Sequence, residues 1–345
     1  MNKPTVQDIF RCFYSAYLEK YSPSPEQAKV ARNILNCKTG AYGANVSVCE
    51  DCGAVQIHYN SCRNRCCPMC QAVPKEMWMD ARKEDVLDAP YFHLVFTVPD
   101  ILNPIIYNNQ KLLYDILYHA ASATISELTA DPKHLGADVG YICILHTWGS
   151  EMNFHPHIHT ILLGGGLTSK NEWKDNGTEF FLPIRAVSKS FRGKYIDELK
   201  HLWNTGQLEF YGTAEKYRNY YVFKDLLDSC YDTEWIPYCK KTFNGAGSVI
   251  DYLGKYTHRI AISNYRIICM DDENVTFSVK DYRNKGQWKE LTLSGVEFIR
   301  RFLMHVPPKR FVRIRHYGLL CSRSKHKKLT LCRNLLGCQK YLSKL

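Results

Sequence analysis

The sequence predicts an α+β protein, with a small metal-bound module ahead of a larger domain built on a central antiparallel sheet with flanking helices. Three observations lead there. Seven of the 15 cysteines fall between Cys37 and Cys70. Beyond residue 90 the chain runs strand, helix, hairpin, helix. Positive charge then gathers at the C-terminal end. Hydrophobic residues make up 45% of the 345 and aromatics 13%, enough to bury a core. No apolar run could span a bilayer, and "MNKPTVQDIFRCFYSAYLEK" lacks the apolar stretch of a secretory signal. A soluble cytoplasmic protein with no membrane partner is expected.

Taken in order, residues 1–36 read as helical, with "SPSPEQAKVARNIL" opening on Ser and Pro as helix starts do. Residues 37–72 are too poor in large aliphatic side chains to hold a core, the usual reason for a structural metal. Residues 73–90 form a charged helical linker. The main domain, 91–265, starts with the strand "YFHLVFTVP" and a helix over Asn108 to Leu128. It continues with a hairpin of "VGYICILHTWG" and "HPHIHTILLGG", then helices at 191–205 and at Ser248 to Tyr256. Region 266–345 adds the strands "NVTFSVKDY" and "QWKELTL", a helix near Val296 to Met304, and a basic tail.

Cys49 and Cys52 form one CxxC, and Cys67 and Cys70 a second, 14 residues on. Two such knuckles complete a tetrahedral, all-thiolate zinc site with no position open for water, so the expected zinc is structural. Cys37, Cys62 and Cys66, with His58 nearby, are candidates for a second site. Arg63 and Arg65 beside these cysteines are candidate phosphate contacts.

The run "NFHPHIHTILLGGG" puts histidines on alternate positions of an apolar strand. His155, His157 and His159 then share one face, with Ile158 and, after it, Ile161 and Leu163 expected on the other. Such a row is a partial coordination shell. From Arg300 to Leu345 there are 13 Lys and Arg and no Asp or Glu, more than the whole net charge of +11. Interleaved with aromatics in "KRFVRIRHYGLLCSRSKHKKL", that block predicts contact with nucleic acid, with Arg310, Arg313 and Arg315 as candidates.

Together, "SCRNRCCPMCQ", "LHTWGSEMNFHPHIHTILLGGGL", "DYLGKYTHRIAISNYRI" and "FIRRFLMHVPPKRFVRIRHYGLL" resemble the rolling-circle bacterial transposases of the insertion-sequence-91 type, from about Cys37 to Cys338. The resemblance implies an HUH endonuclease fold in a bacterial protein that joins the nucleoid when bound to DNA. It implies His157 and His159 as metal ligands around Ile158, magnesium or manganese as the catalytic metal, and Tyr252 and Tyr256 as the tyrosine pair. It also implies single-stranded element ends and target DNA as partners, and extends the candidate DNA contacts to Arg259. Cys66 departs from the family, which usually has His there.

A tyrosine hydroxyl, with a free pKa near ~10, needs an electrophilic phosphodiester, which a cation beside the scissile phosphate supplies. Imidazoles ordinarily favour zinc or copper, so phosphate oxygens and water would have to complete a magnesium shell. His155, by strand alternation, or His146, across the hairpin, would be the third protein ligand. Attack by tyrosine leaves a 5′-phosphotyrosine and a free 3′-hydroxyl. A rolling-circle replication initiator or relaxase with the same core, and a non-catalytic zinc-dependent DNA-binding regulator, are the rival expectations.

Overall fold

The computed structural model describes residues 3–175, 182–235, 237–243, 249, 252, 254, 257, 259–281, 284 and 286–337. The chain forms two compact units. The first takes residues 1–76, 148–154 and 258–309, and the second takes 77–147, 155–257 and 310–345. The expected region 266–345 is therefore divided, its strands and helix joining the N-terminal helices and its last 36 residues joining the larger unit.

In the first unit, helix α1 (Val6–Lys20) starts at a capping box in which Thr5 and Asp8 satisfy each other's backbone N–H groups. Helix α2 (Pro25–Asn36) repeats the device with Ser24 and Gln27, and has proline in its first turn. Val6, Ile9, Phe10, Phe13 and Tyr17 recur at helical spacing and are buried. They meet Phe298, Ile299, Phe302 and Leu303 of the helix Gly295–Met304. The strands Ile267–Met270, Asn274–Asp281 and Gln287–Ser294 form an antiparallel three-stranded sheet. Val275, Phe277 and Val279, at every second position, turn into the same core. Gly295 has to lack a side chain, because a Cβ there would sit 2.2 Å from the Phe13 ring.

A hairpin of β1 (Ala44–Val48) and β2 (Val55–Tyr59) leaves this core, with every position exposed. Its base is held where the Lys38 N–H donates to the Asn60 carbonyl at 3.1 Å. Buried Gln7 closes the end of α2, its amide donating to the carbonyls of Ile34 (2.8 Å), Leu35 (3.0 Å) and Cys37 (2.9 Å).

The second unit is a sheet, antiparallel at each pairing described, with helices on its faces. It contains α3 (Ala72–Lys83) from its sixth residue, β3 (Tyr91–Thr97), α4 (Asn103–Asn108) and α5 (Gln110–Ala130). Most of β4 (Asp138–Trp148) and β5 (Phe154–Leu167) follow, then β6 (Trp173–Asp175), α6 (Ile184–Asn204), α7 (Tyr220–Asp232) and β7 (Tyr238–Phe243). The three strands of the first unit are β8 to β10 and its last helix α8. Strand β11 (Ile314–Gly318) and helix α9 (Lys325–Leu336) end the second unit. The strand order is β11, β4, β5, β3, β7, with β6 on β5.

One sheet face carries Phe96, whose ring lies 4.8 Å from that of Phe191 in α6. Helices α5 and α6 pack together. On the other face Tyr91, Ile142, Ile144, Ile161 and Leu163 form one cluster with Leu329 and Cys332 of α9. Register settles which residues share it: Val95 pairs with His159, His93 with Ile161 and Tyr91 with Leu163. Ile161 and Leu163 therefore continue the histidine face, contrary to the sequence expectation, because the strand keeps its period of two through residue 163.

The basic tail is also part of the fold. β11 pairs with β4, Lys325 contacts Asp85 at 2.8 Å, and Lys328 contacts Asp138 at 2.7 Å. Among the described residues, no helix is long and apolar enough to cross a membrane. Gln7→Ala should remove the side-chain donor from the Ile34, Leu35 and Cys37 carbonyls and cost about 1–3 kcal/mol. Amide exchange over residues 30–37 checks this, and should accelerate in the variant while α5 stays protected.

Candidate active site and zinc centre

β5 presents His157 and His159 two residues apart, and β4 presents buried His146 beside them. Their ligand atoms all lie within 4.8 Å of one another. His157 Nδ1 is 2.7 Å from the His155 carbonyl, so that nitrogen carries the proton and donates it, leaving Nε2 as a lone-pair donor. That Nε2 faces His159 Nε2 at 3.1 Å. Two nitrogens bonded at right angles to one ion at ~2.1 Å would stand roughly 3.0 Å apart, so the pair fits a shared divalent ion. His146 completes the group, its ring centroid 4.6 Å from that of His159.

Of the two candidates for a third ligand, the structure brings His146 to the group and turns His155 elsewhere. His155 Nδ1 lies 3.2 Å from an Asp100 carboxylate oxygen, at the edge of the site. Tyr252, in a helical residue position, reaches the same face, its Oη 2.6 Å from His93 Nδ1. His93 Nε2 in turn lies 2.9 Å from His159 Nδ1. His93 is buried, and burial lowers its pKa to about 4, so the ring is neutral near pH 7. Tyr256, and most of the expected helix from Ser248 to Tyr256, lie outside the described residues; Val249 and Gly254 are helical as Tyr252 is. The sequence reading missed His93. Its signal was a polar residue at an inward position of "YFHLVFTVP", meaningful only once β3 is known to pair with β5.

In the first unit, Cys37, Cys62, Cys67 and Cys70 come together. Sulfur separations of 3.5 Å for Cys37–Cys70 and 3.6 Å for Cys62–Cys70 approach the ~3.8 Å edge of a tetrahedron with ~2.3 Å zinc–sulfur bonds. The crowding splits the thiols. Burial drives Cys37 up to about 11, and the neighbouring Cys62 sulfur together with burial drives Cys67 well up. Cys62, which accepts from Cys67 foremost, falls to about 5. Four thiolates at this spacing need a cation, and the donor set is that of structural zinc.

The expected pairing of Cys67 and Cys70 with Cys49 and Cys52 is not what the structure assembles. Five residue pairs of β1 and β2, roughly 15 Å of ladder, separate the exposed Cys49 and Cys52 at the hairpin tip from its base. Cys37 enters that base and Cys62 leaves it, so these two meet the second CxxC. Cys66 is buried in the same core outside the four-sulfur group, and His58 lies exposed on β2.

The candidate DNA contacts divide as well. Arg63, Arg65, Arg259 and Arg310 have exposed side chains, while Arg313 donates to the Thr257 carbonyl at 3.2 Å. Arg315 forms an ion pair with Asp115 and lies 4.0 Å over the Tyr118 ring.

A zinc-type thiol cluster in one unit and a row of imidazoles beside a tyrosine in the other define the class, and comparison with known proteins names the family. Residues 140–328 match the family described as "Putative transposase", and residues 9–98 match the transposase zinc-binding domain. The chain belongs to the insertion-sequence-91 type of transposases and has their N-terminal zinc-binding domain. It is 41% identical over 336 residues to "Putative transposase y4qJ" of Sinorhizobium fredii, covering 97% of this chain and 84% of that protein. It is 30% identical over 302 residues to the transposase for insertion sequence element IS801 of Pseudomonas savastanoi pv. phaseolicola, covering 86% of this chain and 71% of that one. No solved structure matches.

Native mass spectrometry distinguishes the two zinc assignments. Cys62→Ser and Cys70→Ser should each lose a zinc ion and loosen the first unit, whereas Cys49→Ser and Cys52→Ser should keep it.

Proposed function

We propose that this transposase cleaves and rejoins single-stranded DNA at insertion-sequence ends through a 5′-phosphotyrosine, in rolling-circle transposition. The observation that carries the reading is the Tyr252 hydroxyl, hydrogen-bonded to His93 on the face where His146, His157 and His159 converge. A divalent ion such as magnesium or manganese, held by these three imidazoles, would polarise the scissile phosphate and offset its developing charge.

The rest is done by the chain's own residues. The His155 carbonyl fixes the His157 ring so that Nε2 faces the site. Tyr252 Oη attacks phosphorus and gives up its proton to solvent, the bond from phosphorus to the 3′ oxygen breaks, and that oxygen takes up a proton from solvent and leaves as a hydroxyl. One phosphodiester is exchanged for another, so the bond energy stays in the tyrosine ester. A 3′-hydroxyl from another strand can then reverse the reaction without ATP. Tyr256, one helical turn on in the expected helix, serves as the second nucleophile, so that one tyrosine holds a DNA end while the other attacks.

The test incubates the protein with labelled single-stranded DNA bearing the cognate end and magnesium or manganese, then looks for a covalent adduct on a denaturing gel. Tyr252→Phe and Tyr256→Phe should each still form an adduct but lose strand transfer. The double variant, and His157→Ala with His159→Ala, should form none. Wild-type adduct from the double Phe variant would move the nucleophile elsewhere.

Arg63 and Arg310, exposed and basic, would contact phosphates, as would Arg65, Arg259 and Arg313. Replacing Arg63 or Arg310 with alanine should flatten the plot of log affinity against log salt by about 1. Arg315→Ala should leave that slope unchanged and lower thermal stability, because its guanidinium is engaged by Asp115 and Tyr118.

A further inference from the structure

We infer that His93 is a positioning residue which ties the metal-facing imidazoles to the nucleophile through a fixed order of protons. The inference rests on Tyr252 being a nucleophile. Three distances carry it: His157 Nε2 to His159 Nε2 at 3.1 Å, His159 Nδ1 to His93 Nε2 at 2.9 Å, and His93 Nδ1 to Tyr252 Oη at 2.6 Å.

A neutral imidazole has one N–H and one lone pair, so each assignment dictates the next. His159 can bind an ion through Nε2 only if its proton sits on Nδ1. That N–H donates to His93 Nε2, which becomes the acceptor. The one proton of His93 is then on Nδ1 and is donated to Tyr252 Oη. The tyrosine oxygen is thus held as an acceptor, its own hydrogen directed away from His93. A donated hydrogen bond favours the negative charge that grows on this oxygen as it approaches phosphorus, and steers its remaining lone pair. His93 removes no proton from the tyrosine in this arrangement. Its ring is also locked sterically, stacked 5.1 Å from the His159 ring and edge-on 5.2 Å from that of Tyr252.

The fold makes the arrangement available because β3 is the neighbour of β5 on the side that bears the row. Val95 lies opposite His159, which puts His93 one step along on the same face. The apolar core begins directly beyond, with Ile161 opposite His93. His93 is itself buried there.

The decisive measurement is long-range ¹H–¹⁵N NMR of the histidine rings in the magnesium-loaded full chain, with His93→Asn supplying the assignment. The expected spectrum has His93 protonated at Nδ1 alone. A proton on Nε2, or on both nitrogens, overturns the inference. Two further readouts separate it from a merely structural role. His93→Ala should weaken manganese binding, measured without DNA, by on the order of 10- to 100-fold, while Tyr252→Phe should leave it near wild type. His93→Ala should also slow adduct formation by Tyr256→Phe, in which Tyr252 is the remaining nucleophile, by about 100-fold. His93→Asn, whose amide keeps a donor near Tyr252, should restore part of that rate. If Tyr252→Phe with Tyr256→Phe still forms an adduct, the nucleophile assignment fails. If that pair is inactive but His93→Ala keeps wild-type metal binding and rate, only the positioning role fails.

Discussion

Everything in the larger unit turns on the pairing of β3 with β5, in which Val95 faces His159 and Thr97 faces His157. A strand shows alternate residues to opposite faces, so a slip of one residue would carry the whole histidine row to the opposite face of the sheet. The apolar half of the same face prevents that slip. Ile161 and Leu163 are locked against Tyr91, Ile142 and Ile144, and the imidazoles continue the strand where the core stops. The rigidity of the site is thus borrowed from hydrophobic packing one turn of the pleat away. A metal-binding row needs such support, because imidazoles without an ion gain little by standing this close together.

The zinc centre follows the same logic by other means. Residues 37–70 bury few large side chains of their own, and the hairpin between Cys37 and Cys62 is exposed along its whole length. Its base is fixed instead by four sulfurs and by Gln7, which reaches from α1 to the carbonyl of Cys37 itself. The core of α1, α2 and α8 and the thiol cluster therefore share one anchor. Cys49 and Cys52 stand apart, with the N–H groups of Cys52 and Asp51 holding the Cys49 thiol below its usual range.

Much of this was legible in the sequence. Alternation exposed the histidine row, and the clustering of cysteines announced the metal. The capped starts of the helices were written in Thr5, Ser24 and Pro25. Pairing across long loops was not legible. Which cysteines share an ion depends on where a hairpin begins and ends, and CxxC spacing says nothing of a single Cys37 lying 25 residues before Cys62. His93 was hidden for the same reason, since its meaning comes from a strand 66 residues away. Nor can composition reveal that Asp115, Asp85 and Asp138, far back in the chain, wait for Arg315, Lys325 and Lys328.

The chain also crosses between its two units several times, leaving the larger at Thr147, returning at His155, leaving again at Thr257 and returning at Arg310. Strand β11, the partner of β4, arrives more than 160 residues after it. Closing so long a loop is entropically slow, and a ribosome delivers this strand long after β4. The first unit waits for residues 258–309, and the second for residues beyond 309. The nascent protein must therefore hold an open sheet edge along β4 until residues 314–318 have been made. A chain cut short before residue 314 would keep every histidine and tyrosine discussed above and still lack the strand that closes that edge.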